Sequence, residues 1–155
     1  MSDLSINSAE KKDEKLYLVF HVGEERYAVD VYDVNNIIMI PAITKMPGTD
    51  ECYKGIIHLR GEIIPIMSLS KRLNIGKDEI TKDSRIIILD LANDKRIGVI
   101  VDSVTEVITI SADNIEEPSA FVSKEDSLIS GIGRKDSNLI SIIETNLLAR
   151  LEYAS

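Results

Sequence analysis

Tryptophan is absent from the 155 residues, and the aromatic complement is five tyrosines and two phenylalanines. Without flat side chains to spare, the chain offers no stacking platform for nucleic-acid bases. Cysteine occurs once, at Cys52, which excludes an internal disulfide and a cysteine-rich metal site. His21 and His58, the two histidines, do not stand within four residues of one another or of Cys52, so no metal-ligand spacing is visible and no metal is expected. Long apolar runs are also missing. The longest unbroken one is Leu16 to Phe20, far short of a bilayer span. The first fifteen residues are polar and lack the apolar stretch of a secretory signal. With the single cysteine, this leads to the expectation of a cytoplasmic protein. Basic residues are in deficit, 18 Lys and Arg against 26 Asp and Glu, for a net charge of −8. That balance argues against a phosphate-backbone partner and against direct binding to an anionic membrane.

The residues present make a globular balance, 44% hydrophobic and 28% charged. The excess lies in 25 Ile and 10 Val. Branching at Cβ stiffens χ1 and suits a pleated, half-buried surface, so the composition is that of a strand-rich, mainly β chain with an aliphatic core. Residues 1–15 read as a solvated tail. From Leu16 the pattern predicts strands over 16–22, 26–31, 34–40, 55–59 and 62–67, with a turn at Gly23 and another at Arg60-Gly61. A single helical turn follows at 68–73, and 74–84 reads as a linker.

The second half repeats the first. Shifted by 70, residues 27–40 fall on 97–110 with five identities in fourteen positions. Beyond a longer second loop, a shift of 76 sets Gly55-Ile56 on Gly131-Ile132 and Ile63, Ile64 and Ile66 on Leu139, Ile140 and Ile142. Both halves run strand, hairpin, strand, long loop, strand, tight turn, strand. Five short strands with one apolar face remove their edges by curling and closing. The expected architecture is therefore two small five-stranded barrels, about 16–75 and 82–151, whose strands are free to cross over. They are expected to share an apolar interface, because cores so small are marginal alone. Leu147, Leu148 and Leu151 stand at helical spacing and predict a terminal helix over 144–153.

Chemistry of the catalytic kind finds little support. No serine sits in a nucleophile-elbow frame, Cys52 has no basic pair in sequence to activate it, and the glycines form no phosphate loop. An enzyme or small-ligand sensor with a site between the barrels would need converging polar groups, and only Arg60 and His58 offer themselves. The feature that stands out is Leu59-Arg60-Gly61-Glu62-Ile63-Ile64-Pro65-Ile66. At the matching place the second half has Lys135-Asp136-Ser137-Asn138. The fold makes this turn without an Arg-Gly pair, so Arg60 is either a solvated charge or a guanidinium fork offered to a partner.

At this point the chain resembles a known family. Tyr17-Leu18-Val19-Phe20, Gly23, Tyr27, Val34-x-x-Ile37-Ile38 and the stretch from Gly55 to Ile66 are similar to the CheW chemotaxis coupling proteins, as are Gly98 to Val104 and Gly131-Ile132-Gly133. The resemblance covers Leu16 to Leu151. It implies two packed SH3-like five-stranded barrels with short helices, and no catalysis and no cofactor. It implies an adaptor that links the cytoplasmic tips of transmembrane chemoreceptors to the regulatory domain of the CheA histidine kinase, held at the receptor array through protein partners. By position, the receptor groove would comprise Val34, Asn36, Ile37, Gly55, His58, Leu59, Arg60 and Gly61. Kinase and array contacts would fall at Ile40, Ile43, Met46, Glu116 and Phe121. A CheW-type module of another signalling system fits the same residues. Family members often carry Glu at the place of Asn36, Asn at His58 and Asp at Ser68, so receptor preference is the property these departures touch. Phe121 in its acidic loop is either a knob for a partner or a side chain tucked against its own barrel.

Overall fold

The computed structural model describes residues 13–76, 78–118 and 128–148. Its elements follow the alternation of the sequence closely. The first half holds β1 (Glu14–Val22), β2 (Glu25–Asp30), β3 (Val34–Met39), β4 (Tyr53–Leu59), β5 (Glu62–Ser68) and a one-turn helix α1 (Leu69–Arg72). The second half holds β6 (Arg85–Leu91), β7 (Lys95–Val101), β8 (Ser103–Ser111), β9 (Ile115–Glu116), β10 (Ile129–Lys135), β11 (Asn138–Ile143) and α2 (Thr145–Leu148). Among the described residues no helix is long and apolar enough to cross a membrane. The predicted terminal helix is present at Thr145–Leu148; the rest of its predicted span lies outside the described residues.

The strands form two sheets, with orders β8-β1-β2-β11-β10-β9 and β3-β6-β7-β5-β4. Neither sheet corresponds to one contiguous half of the sequence. The first takes the β1-β2 hairpin from one half and β8 to β11 from the other, and the second makes the reciprocal exchange. β1 pairs antiparallel with β8, β3 pairs antiparallel with β6, and the exchanged hairpins are joined by the parallel pairs β2-β11 and β5-β7.

Among the described residues the ladders form no complete ring, yet they are consistent with the two expected five-stranded barrels, the sixth strand of one sheet being the two-residue β9. The curl is nonetheless built in. In the first sheet the outermost strands, β8 and β9, are consecutive in the chain, joined only by the 3-10 turn Ala112–Asn114. In the second sheet the chain leaving edge strand β3 reaches the opposite edge within five residues, where Thr44 bridges Ile56 of β4. The two crossings are equivalent, because Ile56 matches Ile132, which pairs with Glu116 of β9. What reads in sequence as a loop after Ile40 therefore contains the single-residue counterpart of β9.

The unbroken apolar runs mark strands buried on both faces, where alternation has no solvent side to report. Ile86, Ile87, Ile88 and Leu89 are all fully buried. Ile87 and Leu89 point into a core shared between the sheets, with Leu18, Phe20, Val22, Val29, Met67, Val99 and Leu148. Ile86 and Ile88 point the other way, into the second sheet's own cluster with Ile57, Ile64, Ile66 and Ile100. β1 does the same. Phe20 joins the shared core, whereas Tyr17 and Val19 join the first sheet's own cluster with Ile110, Ile140 and Ile142.

The short helices act as ties. Ser68 caps α1 by accepting from the Lys71 N–H at 3.2 Å. The Thr145 hydroxyl donates to Asp33 Oδ2 at 2.9 Å, and Asn146 Oδ1 accepts from the Ala92 N–H at 2.9 Å. Arg72 donates to the carbonyls of Leu147 and Leu148 at 3.3 and 3.4 Å, setting a cation at the last described turn of α2. Burial raises the Asp33 carboxyl above its usual range, against the pull of the Thr145 hydrogen bond, and Asp30 and Glu144 add repulsion.

Candidate functional site

The β4-β5 hairpin turns on two residues, with Leu59 opposite Glu62 and positive φ at both Arg60 (52°) and Gly61 (80°). This is the turn whose twist matches that of the flanking strands. Its duplicate, between Lys135 and Asn138, has φ of 48° at Asp136 and 70° at Ser137. The topology thus demands the same left-handed backbone in both halves. An arginine in that conformation is strained by about 1–2 kcal/mol relative to glycine, and nothing about the turn favours it. Arg60 is exposed and makes no hydrogen bond or ion pair among the described residues.

The residues expected around Arg60 are placed unevenly. His58 sits opposite Ile63 in the ladder, and both are exposed. Their side chains share the face opposite Ile64, which points into the sheet's own cluster. Val34 packs against the shared core, and so lies on that same side of the sheet. Leu59 packs instead against the second sheet's own cluster. Val34 and Leu59 therefore do not line one continuous apolar face. Ile37 is 39% exposed on β3, and Asn36 Oδ1 accepts from the Ile37 N–H at 2.8 Å. Gly55 is buried with φ of 144°, and a Cβ there would stand 2.0 Å from the Thr44 carbonyl oxygen. Its place in the structure is the crossing of Thr44 over β4, where it also lines the cleft beside Met46 and Tyr53.

Ile63 was missed by sequence reasoning. It is 60% exposed beside the turn, and the alternation Ile63-Ile64 with Ile64 in the core was the available signal. Its duplicate Leu139 is equally exposed at 60%, so an apolar residue at this place belongs to both halves, unlike Arg60.

A second missed feature crosses the whole sheet. Asn35 Nδ2 on β3 donates to Asp90 Oδ2 on β6 at 3.3 Å. Asp90 Oδ1 accepts from Arg96 Nε on β7 at 2.7 Å, and Arg96 Nη1 reaches Glu62 Oε1 on β5 at 2.5 Å. Four successive strands are tied at one end of the sheet, and Glu62 is the residue after the Arg60-Gly61 turn. Each residue of the chain is unremarkable by itself in sequence. Only the order β3-β6-β7-β5 makes them neighbours.

On the long-loop side, Ile40 and Ile43 pack onto the second sheet's own cluster. Met46 is exposed and lines an open cleft of about 340 Å³ with Tyr53, Ile56 and Pro65. Glu116 is paired with Arg134 at 3.2 Å on the surface of β9 and β10. Phe121 lies outside the described residues. The departure at Ser68 is accounted for locally, since serine caps a helix as aspartate does. Cys52 is buried, and burial first, with Asp50 adding to it, raises its thiol pKa, which makes it a poor nucleophile at neutral pH.

Residues 16–152 match the family model of the CheW-like domain. The chain is 36% identical over 140 residues to the chemotaxis protein CheW of Bacillus subtilis, covering 90% of this chain and 89% of that one. It is 32% identical over 120 residues to the chemotaxis protein CheW of Thermotoga maritima, covering 76% and 78%. Among solved structures it is similar to the scaffolding protein TtCheW of Thermoanaerobacter tengcongensis, with a TM-score of 0.79, 42% identity and 86% of each chain covered. The mainly β fold of two packed sheets, the hairpin duplication and these matches agree: the chain belongs to the CheW-like family of non-catalytic chemotaxis adaptors.

Proposed function

We propose that this protein couples the cytoplasmic tips of transmembrane chemoreceptors to the regulatory domain of the CheA histidine kinase, and that it resides in the cytoplasm, held at receptor arrays by these partners. The observation that carries the reading is Arg60. It stands exposed and unpaired on a turn that its own duplicate makes with Asp136 and Ser137. The receptor tip offers an α-helical hairpin, and Val34, Ile37, His58 and Ile63 present apolar and half-polar surface on one side of the sheet for a helix face. Arg60 sets register by donating to a receptor carboxylate or backbone carbonyl, which a planar guanidinium does better than an ammonium. Asn36, whose Oδ1 accepts from the Ile37 N–H, places no carboxylate that would compete for that guanidinium. The kinase contact is assigned to the other end of the sheet, at Met46, with Ile40 and Ile43 supporting it from beneath.

Arg60→Ala is expected to weaken binding to a receptor-tip fragment by about 1–3 kcal/mol, with kinase binding unchanged. Met46→Asp should do the converse, since Met46 is 46% exposed and its replacement removes no core contact. Titration calorimetry of each variant against each fragment reads both effects. Equal receptor affinity of Arg60→Ala and wild type overturns the assignment of the groove. Parallel loss of both partners in either variant would indicate misfolding, and circular dichroism of the same samples distinguishes that case.

A further inference from the structure

The two edges of the proposed receptor surface belong to strands far apart in the sheet. Asn35, between Val34 and Asn36, is on edge strand β3. Arg60 hangs from the turn between β4 and β5, across β6 and β7. The polar chain Asn35–Asp90–Arg96–Glu62 runs the distance between them, and Arg96 is its one cation, with contacts of 2.7 Å to Asp90 and 2.5 Å to Glu62. Glu62 closes the hairpin opposite Leu59, so a hold on Glu62 is a hold on the turn.

The duplicate again serves as control. Arg26 on β2 matches Arg96 under the shift of 70, and Asn138 matches Glu62 under the shift of 76. The place of Asp90 falls on Phe20, in the shared core. No carboxylate stands at either place, and among the described residues no corresponding chain of contacts crosses the first sheet. The network therefore occurs in the sheet that carries Arg60, and not in the one that carries Asp136 and Ser137.

Its contribution to global stability is small by placement. The side chains of Arg96, Glu62 and Asp90 are 37%, 43% and 43% exposed, and solvent screens such pairs strongly. A solvated network that stabilises little still restricts where its members sit.

Resting on the receptor-groove reading above, we propose that Arg96 is a positioning residue for receptor binding: through Glu62 it orients the Arg60 turn, and through Asp90 and Asn35 it fixes that turn relative to the β3 edge. Arg96 itself makes no contact with the receptor. The ordering cost of the turn is met before the receptor arrives, so removing the network lowers affinity without removing a contact. Two carboxylates on one guanidinium need its fork. A lysine at 96 can satisfy one of them at a time, so it should restore only part of the effect.

The test is a double-mutant cycle on the full-length protein, read as Kd for a receptor-tip fragment, with kinase-domain binding and urea midpoint measured alongside. Arg96→Ala is expected to raise the receptor Kd about five- to tenfold, leaving kinase binding and the urea midpoint essentially unchanged. Arg96→Lys is expected to fall between wild type and Arg96→Ala. In the Arg60→Ala background, Arg96→Ala should add nothing, because there is no longer a guanidinium to aim. An unchanged Kd for Arg96→Ala, while Arg60→Ala weakens binding, overturns the positioning role and leaves the groove standing. Full additivity of the two substitutions also overturns it, since it means Arg96 acts on the receptor independently. Failure of Arg60→Ala itself to weaken binding refutes the groove reading first.

Discussion

Replacing Gly55 with alanine is expected to destabilise the protein by about 2–5 kcal/mol, in spite of adding one methyl group. The new Cβ would stand 2.0 Å from the Thr44 carbonyl oxygen and 2.7 Å from its carbonyl carbon. These are backbone atoms, so no side-chain rotation relieves the overlap. The φ of 144° adds strain for any L-residue with a Cβ. The obvious escape is to lift Thr44 off β4, which breaks the reciprocal bonds Thr44 N–H to Ile56 O (2.9 Å) and Ile56 N–H to Thr44 O (2.8 Å). Those bonds return the chain from edge strand β3 to the opposite edge, so their loss leaves both edges of the second sheet open. Gly131→Ala, at the equivalent place, should cost clearly less. There the nearest atom is the methyl Cγ2 of Ile115 at 2.7 Å, the closest backbone atom is 3.3 Å away, and φ carries no penalty. Urea midpoints of the two variants check this, and a Gly55→Ala loss below about 1 kcal/mol would show that residues 43–44 yield freely.

Phe20→Ala should cost about 3–5 kcal/mol and should do so in a single unfolding transition. Phe20 is fully buried between the sheets and lies against Tyr27 with ring centroids 6.3 Å apart. Its neighbours in the shared core come from both sheets, among them Leu89, Val99 and Met67 of the second. A cavity there loosens each sheet's hold on the other. Ile88→Ala makes the comparison, since Ile88 is equally buried but in the second sheet's own cluster. If the sheets form one cooperative unit, both substitutions shift the same transition, seen identically by circular dichroism and by tyrosine fluorescence. Two separable transitions in either variant would mean that each sheet is stable by itself. The exchanged strands argue for one unit, because unfolding either half of the sequence removes strands from both sheets.

Much of this molecule was legible in order of residues. The five strands of the first half, the helical turn near 68–73 and the turns at Gly23 and Arg60-Gly61 stand within a residue or two of their expected places. The reason is local: alternation, turn residues and caps act over spans of two to six residues. The duplication was legible too, and it singled out Arg60 by giving the fold a second version of the same turn. Other features were not. The bridge at Thr44 is a single residue, too short to leave a pattern. The close approach of the Thr44 carbonyl to Gly55 left no trace either, because sequence does not reveal which backbone crosses a glycine. The resemblance places Leu59 and Val34 together, and only the sheet shows that Val34 packs toward the shared core and Leu59 toward the second sheet's own cluster.

The sequence by itself determined which segments are strands, and that the chain is a duplication whose two halves differ at the Arg60 turn. Tertiary structure alone decided which strand pairs with which. The apolar faces of the β1-β2 and β6-β7 hairpins are nearly interchangeable, so hydrophobic pattern does not choose between them. Connection length does. β7 passes into β8 through the single residue Asp102, so Val101 and Ser103 are at most about 7 Å apart. The free side of β6 lies two strand spacings away, about 10 Å. β8 therefore runs on into the neighbouring sheet and pairs with β1, and β3 makes the reciprocal exchange with β6. That exchange is what sets Asn35, Asp90, Arg96 and Glu62 side by side.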